Sequence, residues 1–442
     1  METIIFSYND FASNRGFHPK FYNTFYSIDR QIYRKMEQSY DKDGKRVTTV
    51  LDDIMCRTSK EYFSKIYAAQ TEAISYSEYV FPAYKFILPD ALMDDWLSVM
   101  DSHKKHCRDH SLHQPLTSYI VAKLLGYGLS AEALVINGID LLSICSDWLM
   151  NSPNTQYLRD YFHSLYPKCQ NIPKTIRKKI ARDVFYETAV ISALFHDMGY
   201  PWQYVNRLTD SISAADFRIP ADSVANAENV LDMINNRLLI YPFYGYSEVC
   251  KNRPVCTWAK KVITLFDESM RKTHGFPGAL GFTYLQDIIR RFPCDYSLND
   301  ALFRFVMDWA AMGIMMHDMP KIYKGEGVNP DNPFLRVSFE TDPLSSLIAM
   351  ADILEEFHRP AAEFRTVTNN GVGVEFEFPC VSTDVTCNKD HMVIHYRYKT
   401  GKDVARNIRF RYKEIEDYFK PYKGFIDVSP LGIRDVSCVV TT

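Results

Sequence analysis

Between residues 110 and 360 the apolar positions recur at three- and four-residue spacing, the period of a helix with one buried face. Leu116, Ile120, Val121, Leu124 and Leu125 form one such stripe, and Ala131 to Met150 reads as a second strong helix. Val184 to Phe195 is nearly continuous apolar sequence, which suits a deeply buried helix. Further helices are expected over Asn226–Leu239, Trp258–Met270, Pro277–Arg291, Leu298–Met316 and Leu344–Phe357. Pro201, Pro220, Pro254, Pro330 and Pro333 punctuate the connections. Upstream, Tyr62, Ile66, Tyr67 and Ala69 carry a helical pattern from Ser59 to about Met100, and a shorter helix is expected around Phe21–Tyr40. After Arg365 the period drops to two, in Val372–Phe378 and Met392–Tyr398. A helix at Ala405–Phe419 and strands near Phe425–Val428 and Asp435–Val440 close the chain. The pattern predicts a mainly α protein in three parts: a helical elaboration over residues 1–104, a helical bundle over 105–364, and a small α+β unit over 365–442.

Composition narrows the function classes. With 46% hydrophobic and 24% charged residues, the 442-residue chain can bury a large core. A net charge of −3 argues against a long face for a nucleic-acid duplex, yet allows a local basic pocket for one phosphorylated molecule. The ten cysteines form no C-x-x-C pair, so no zinc-finger spacing competes for the role of metal site. The first residues lack the basic and apolar regions of a signal peptide, and no apolar run reaches bilayer length. The expectation is a cytoplasmic protein with free thiols and no membrane partner.

The candidate chemistry lies at helix ends. Ala193-Leu-Phe-His196-Asp197-Met-Gly199-Tyr-Pro201 closes the most apolar helix with a His–Asp pair. A carboxylate buried there costs several kcal/mol unless it is paired, and a metal ion offers such pairing; a simple helix-end cap is the plainer reading of the pair taken alone. Arg108-Asp-His110-Ser-Leu-His113 opens the helix upstream, and Lys272-Thr-His274-Gly-Phe-Pro opens another downstream. Gly313-Ile-Met-Met-His317-Asp318 ends an apolar helix, and Asp352 follows Leu347, Ile348, Ala349 and Met350 on a buried face. Asp318 caps its helix or orients His317. His103, His106, His391 and His395 have no comparable context.

This order, His … His-Asp … His … His … Asp, resembles the HD superfamily of metal-dependent phosphohydrolases, in the branch with two additional histidines before the last aspartate. The likeness spans about residues 105–362 and implies an HD-type helical bundle. It implies that His113, His196, Asp197 and Asp352 hold one divalent metal, and that Asp197 bridges to a second held also by His274 and His317. Imidazole and carboxylate donors suit Mn, Fe, Co, Ni or Zn, and carboxylates with water suit Mg. A water activated between two metals, not a side chain, would be the nucleophile. His110 competes with His113 as first ligand; His113 is favoured because it places Leu116, Ile120 and Leu124 on the buried face. Asp197, His110 and Lys272 are the candidate catalytic residues. Arg271, Lys321, Lys324 and Arg359 are the candidate substrate-binding cations, each also readable as a solvated surface charge.

The resemblance implies a small-molecule nucleotide substrate. Met198–Asn206 lacks the further histidines common in the family's dNTP triphosphohydrolases, and Met316-His317-Asp318 departs from the branch specific to cyclic di-GMP. The chain is also similar to helical HD phosphohydrolases of bacterial antiphage defence, such as those of the Clover system, which implies dNTP hydrolysis under nucleotide control. Deoxynucleoside triphosphate hydrolysis is the leading expectation. The alternatives are a phosphodiesterase of cyclic or linear dinucleotides and a nucleotide-responsive binding protein with an inactive site. The C-terminal unit, with Arg406, Arg409, Arg411 and Lys413 on its helix, reads as a packing or oligomerisation module or as the seat of a nucleotide effector.

Overall fold

Among the described residues, four helices pack around one central helix, and a mixed four-stranded sheet shares their core. The structure is a computed structural model, which describes residues 2–7, 10, 110–126, 133–151, 174–200, 273–279, 281–282, 300–318, 337–340, 342–357, 362–368, 371–377, 380–399, 404–420 and 424–442. The helices expected over 21–40, 59–100, 226–239 and 258–270 lie outside the described residues, as does most of 277–291.

Helix α1 spans His110–Leu125, α2 Leu141–Asn151, α3 Lys174–Phe195, α4 Asp300–Met316 and α5 Pro343–Leu354. The apolar run recognised in α3 is buried throughout, and α3 packs against α1, α2, α4 and α5. Helix α1 stops at Gly126, whose φ of 66° satisfies the last turn through its N–H to the Ala122 carbonyl at 3.0 Å. Around α4 the aromatic core is specific: Trp309 stacks on Trp148 of α2 at 5.9 Å and meets Phe185 of α3 edge-on at 5.6 Å. Among the described residues no helix is long and apolar enough to cross a membrane.

Helix α5 is almost wholly buried, so its start must be satisfied from within the protein. Asp342 does this by accepting from the Ser345 N–H at 3.0 Å, with Pro343 at the first helical position. Burial pushes the Asp342 carboxyl above the ordinary carboxylate range, against the lowering by its bonds to Ser345. Asp342→Ala is expected to destabilise the fold by about 1 kcal/mol, and Asp342→Asn by less, in urea unfolding followed by far-ultraviolet dichroism.

Two expectations are corrected here. The stretch Ala131–Met150 is not one helix: Val135–Ile136 (β2) and Ile139–Asp140 (β3) pair as a hairpin before α2 begins. Asn137 and Gly138 lie at φ 53° and 82°, the left-handed pair that a tight two-residue hairpin turn requires. The N-terminal elaboration is not helical at its start. Glu2–Phe6 is a strand, β1, with Ile4 and Phe6 buried, and it is held 380 residues away in sequence by pairing with Thr383–Cys387.

That pairing builds β1 into the C-terminal sheet. After β4 (Val337–Ser338) come β5 (Ala362–Thr368), β6 (Gly371–Glu377), β7 (Cys380–Asn388), β8 (His391–Tyr398), helix α6 (Val404–Phe419), β9 (Ile426–Asp427) and β10 (Asp435–Thr441). The four-stranded sheet runs β1-β7-β8-β10, antiparallel except for the parallel β8–β10 pair. Met392, Ile394, Tyr396 and Tyr398 of β8 face inward, as period two predicts, and α6 packs against β10. The boundary expected at 365 falls inside β5, and β4 pairs with β9. The C-terminal strands and the helical part therefore share one core cluster.

Candidate metal centre

Three helix C-termini converge at the site. The ends of α3, α4 and α5 carry His196-Asp197, His317-Asp318 and Asp352 respectively. The aligned peptide dipoles make this the negative end of each helix, which favours a cation. α3 and α4 present their histidines in the same way. His196 Nδ1 donates to the Ala193 carbonyl at 2.7 Å, and His317 Nδ1 donates to the Ile314 carbonyl at 2.6 Å. A carbonyl oxygen can only accept, so each Nδ1 carries the proton; a neutral imidazole then has its Nε2 lone pair pointing inward.

His113 and His274 reach the same point from the other side. His113 Nδ1 donates to Glu355 Oε2 at 2.5 Å, and Glu355 Oε1 in turn accepts the Phe357 N–H at 3.0 Å. His274 Nδ1 lies 2.8 Å from Asp318 Oδ2, which also accepts the His274 backbone N–H. Tyr200 stacks on the His274 ring at 3.9 Å between centroids. All four Nδ1 atoms face oxygen acceptors and all four Nε2 atoms face one another. The Nε2 atoms of His113 and His196 are 3.1 Å apart, as are those of His274 and His317.

Asp197 sits between the two histidine pairs and is 2% exposed. Its Oδ1 is 2.7 Å from His274 Nε2 and 3.5 Å from the Nε2 atoms of His196 and His317, while Oδ2 is 3.3 Å from His113 Nε2. Asp352 Oδ1 closes the His113 side, at 3.1 Å from His113 and 3.7 Å from His196. Two donor sets result, His113–His196–Asp352 and the fully buried His196–Asp197–His317, each able to hold a metal ion. Asp352 is the most open of these side chains, at 19% exposure against 5% or less for the others, so the centre meets solvent on that side.

Close backbone approach makes the convergence possible. A Cβ on Gly199 would lie 1.9 Å from the His274 carbonyl oxygen and 2.5 Å from the Gly278 nitrogen. A Cβ on Gly313 would lie 2.3 Å from Ser192 Oγ, where α4 crosses α3. No side-chain rotation relieves the Gly199 overlap, because both obstacles are backbone. Gly199→Ala is expected to push His274 away from Asp197 and to destabilise the fold by about 1–3 kcal/mol. Thermal unfolding together with metal content checks both effects.

Of the residues singled out from sequence, His113, His196, Asp197, His274, His317 and Asp352 come together here. His110 is the first residue of α1, and its side chain is outside the described part; it is the imidazole of His113 that reaches the cluster. Arg271, Lys272, Lys321, Lys324 and Arg359 lie outside the described residues. Asp318 orients His274 rather than His317, whose Nδ1 is taken by the Ile314 carbonyl. Sequence reasoning missed Glu355, the partner of His113. It also passed over a local signal: the tripeptide His-Asp-Met occurs twice, at 196–198 and 317–319, each time at the end of an apolar helix. No family model, curated protein or solved structure matches the chain.

Proposed function

We propose that this protein is an HD-type phosphohydrolase that binds two divalent metal ions and cleaves a phosphate bond in a nucleotide, with deoxynucleoside triphosphates as the leading substrates. One observation carries the reading. Four imidazoles, each with Nδ1 against an oxygen acceptor, aim Nε2 atoms at one another across 3.1 Å in a buried site. Lone pairs so placed repel, and a cation between them removes the repulsion; the adjoining Asp197 and Asp352 carboxylates supply the matching negative charge. Mn, Fe, Co, Ni and Zn suit this nitrogen-rich set better than Mg.

When bound, such a metal pair supplies Lewis-acid stabilisation of a phosphoryl oxygen and makes water a competent nucleophile at neutral pH. The chain's own groups do the rest. Asp197 joins the two donor sets, so one carboxylate fixes their separation. Glu355 and Asp318 hold the rings of His113 and His274, and the helix carbonyls hold those of His196 and His317. The burial of all but Asp352 directs an incoming phosphate to the Asp352 side.

Purified protein supplied singly with Mn, Mg or Co, and offered mixed dNTPs, NTPs and cyclic dinucleotides, tests the reading by mass analysis of products. Release of phosphate or triphosphate from dNTPs is the expected result. Cleavage confined to dinucleotides would transfer the centre to phosphodiester chemistry. No product from any substrate with any metal would leave a nucleotide-binding role and defeat the enzyme reading.

A further inference from the structure

The basic helix of the C-terminal unit holds one residue that does not behave as a surface charge. Arg411 is 1% exposed, whereas Arg409 and Lys413 of the same helix are exposed. Its Nη2 lies 2.9 Å from Glu356 Oε2, an ion pair short of aligned hydrogen-bond geometry, and its Nη1 donates to Glu414. Burial would lower the Arg411 pKa, but the Glu356 and Glu414 carboxylates outweigh it and hold the guanidinium firmly charged. Glu356 is 2% exposed and also accepts from the Tyr398 hydroxyl at 2.9 Å. Two positions earlier in β8, on the same face, the Tyr396 hydroxyl donates to the Ile353 carbonyl at 3.0 Å.

Apart from the bond to Glu414, these contacts fall on one short stretch of chain. Ile353 follows Asp352, and Glu356 follows Glu355, the carboxylate that holds His113. The segment leaves α5 at Glu355, whose N–H makes the last ladder bond, to the Ala351 carbonyl at 3.1 Å, and whose backbone turns extended at φ −79° and ψ 100°. Beyond that bond, the C-terminal unit grips the segment through Tyr396 and Tyr398 from β8 and Arg411 from α6.

We propose that Arg411 is a positioning residue for the His113–His196–Asp352 half of the metal centre, acting through Glu356 with Tyr398 and Tyr396. The inference rests on the metal-centre reading and makes a site-selective claim. The clamp touches the segment that carries Asp352 and Glu355. Among the described contacts, His274 and His317 take their second nitrogens to Asp318 and Ile314, away from the clamp. Loss of the clamp therefore loosens one metal site and spares the other.

Cobalt(II) titration of the full chain, followed by visible absorption, tests this. The parent protein is expected to bind in two phases, and the phase lost in Asp352→Asn marks the His113 side. In Arg411→Met that phase weakens about tenfold, as for other partners that orient metal ligands, while the second stays within about twofold. Tyr398→Phe keeps the ring and removes one hydrogen bond, so it serves as the test should Arg411→Met fail to fold, and it weakens the same phase by a smaller factor. Parental affinity at both sites in folded Arg411→Met or Tyr398→Phe overturns the inference, and so does parallel weakening of both phases, which is the mark of general loosening. A parent protein that binds no cobalt fails differently: it removes the metal-centre reading, and the inference with it.

Discussion

Asp197→Ala is expected to lower phosphate release by about a thousandfold or more, equivalent to roughly 4 kcal/mol of lost transition-state stabilisation, and to strip metal from the purified protein. Among the described contacts, Asp197 is the carboxylate that approaches both histidine pairs. Its Oδ1 approaches His196, His274 and His317, and its Oδ2 approaches His113. Alanine leaves four Nε2 atoms without the carboxylate that would balance cations bound between them, and it frees the two donor sets to drift apart. The helical spectrum should stay near that of the parent, because Asp197 follows α3 and is not part of its ladder. Turnover assays, elemental analysis and circular dichroism on one preparation separate these effects. Near-parental turnover in Asp197→Ala would defeat the assigned role.

Chelation should destabilise the fold as strongly as the truncation of one large buried side chain. An ion held only by the native state, at a thousandfold excess over its dissociation constant, contributes about 4 kcal/mol of apparent stability. The donors come from α1, α3, α4, α5 and the segment at 273–279, so a bound cation ties together elements that are far apart in sequence. Treatment with a chelator is expected to lower the thermal midpoint, and added Mn or Co to restore it. Asp197→Ala should show little of this response. An unchanged midpoint in the parent after complete metal removal would mean that the centre takes no part in holding these elements.

The helices that build the site were legible because burial imposes a period. Continuous apolar sequence before His196 and before His317 marked two deeply packed helices, and an acid at 352 on a buried face needed a partner. The elements that escaped do not advertise themselves by hydropathy. Strand β7 buries the consecutive residues Ser382, Thr383, Asp384 and Val385, so both faces are covered and no period-two row of apolar residues marks it. β2 and β3 have two residues each, and their apolar residues merge with those of α2; only Asn137-Gly138 betrays the turn. Glu355 and Glu356 look like the solvated end of a helix. Their roles arise from partners at His113, Tyr398 and Arg411, the first of them 242 positions away. Likewise, Arg411 looked like one of several cations on a basic helix until the fold turned it inward.

Anomalous diffraction from crystals grown with Mn addresses the central claim most directly. Two peaks are predicted: one against Nε2 of His113 and His196 with Asp352, the other against Nε2 of His274 and His317, with Asp197 touching both. A map with no peak among these nitrogens, in crystals whose solution holds ample Mn, would contradict the account.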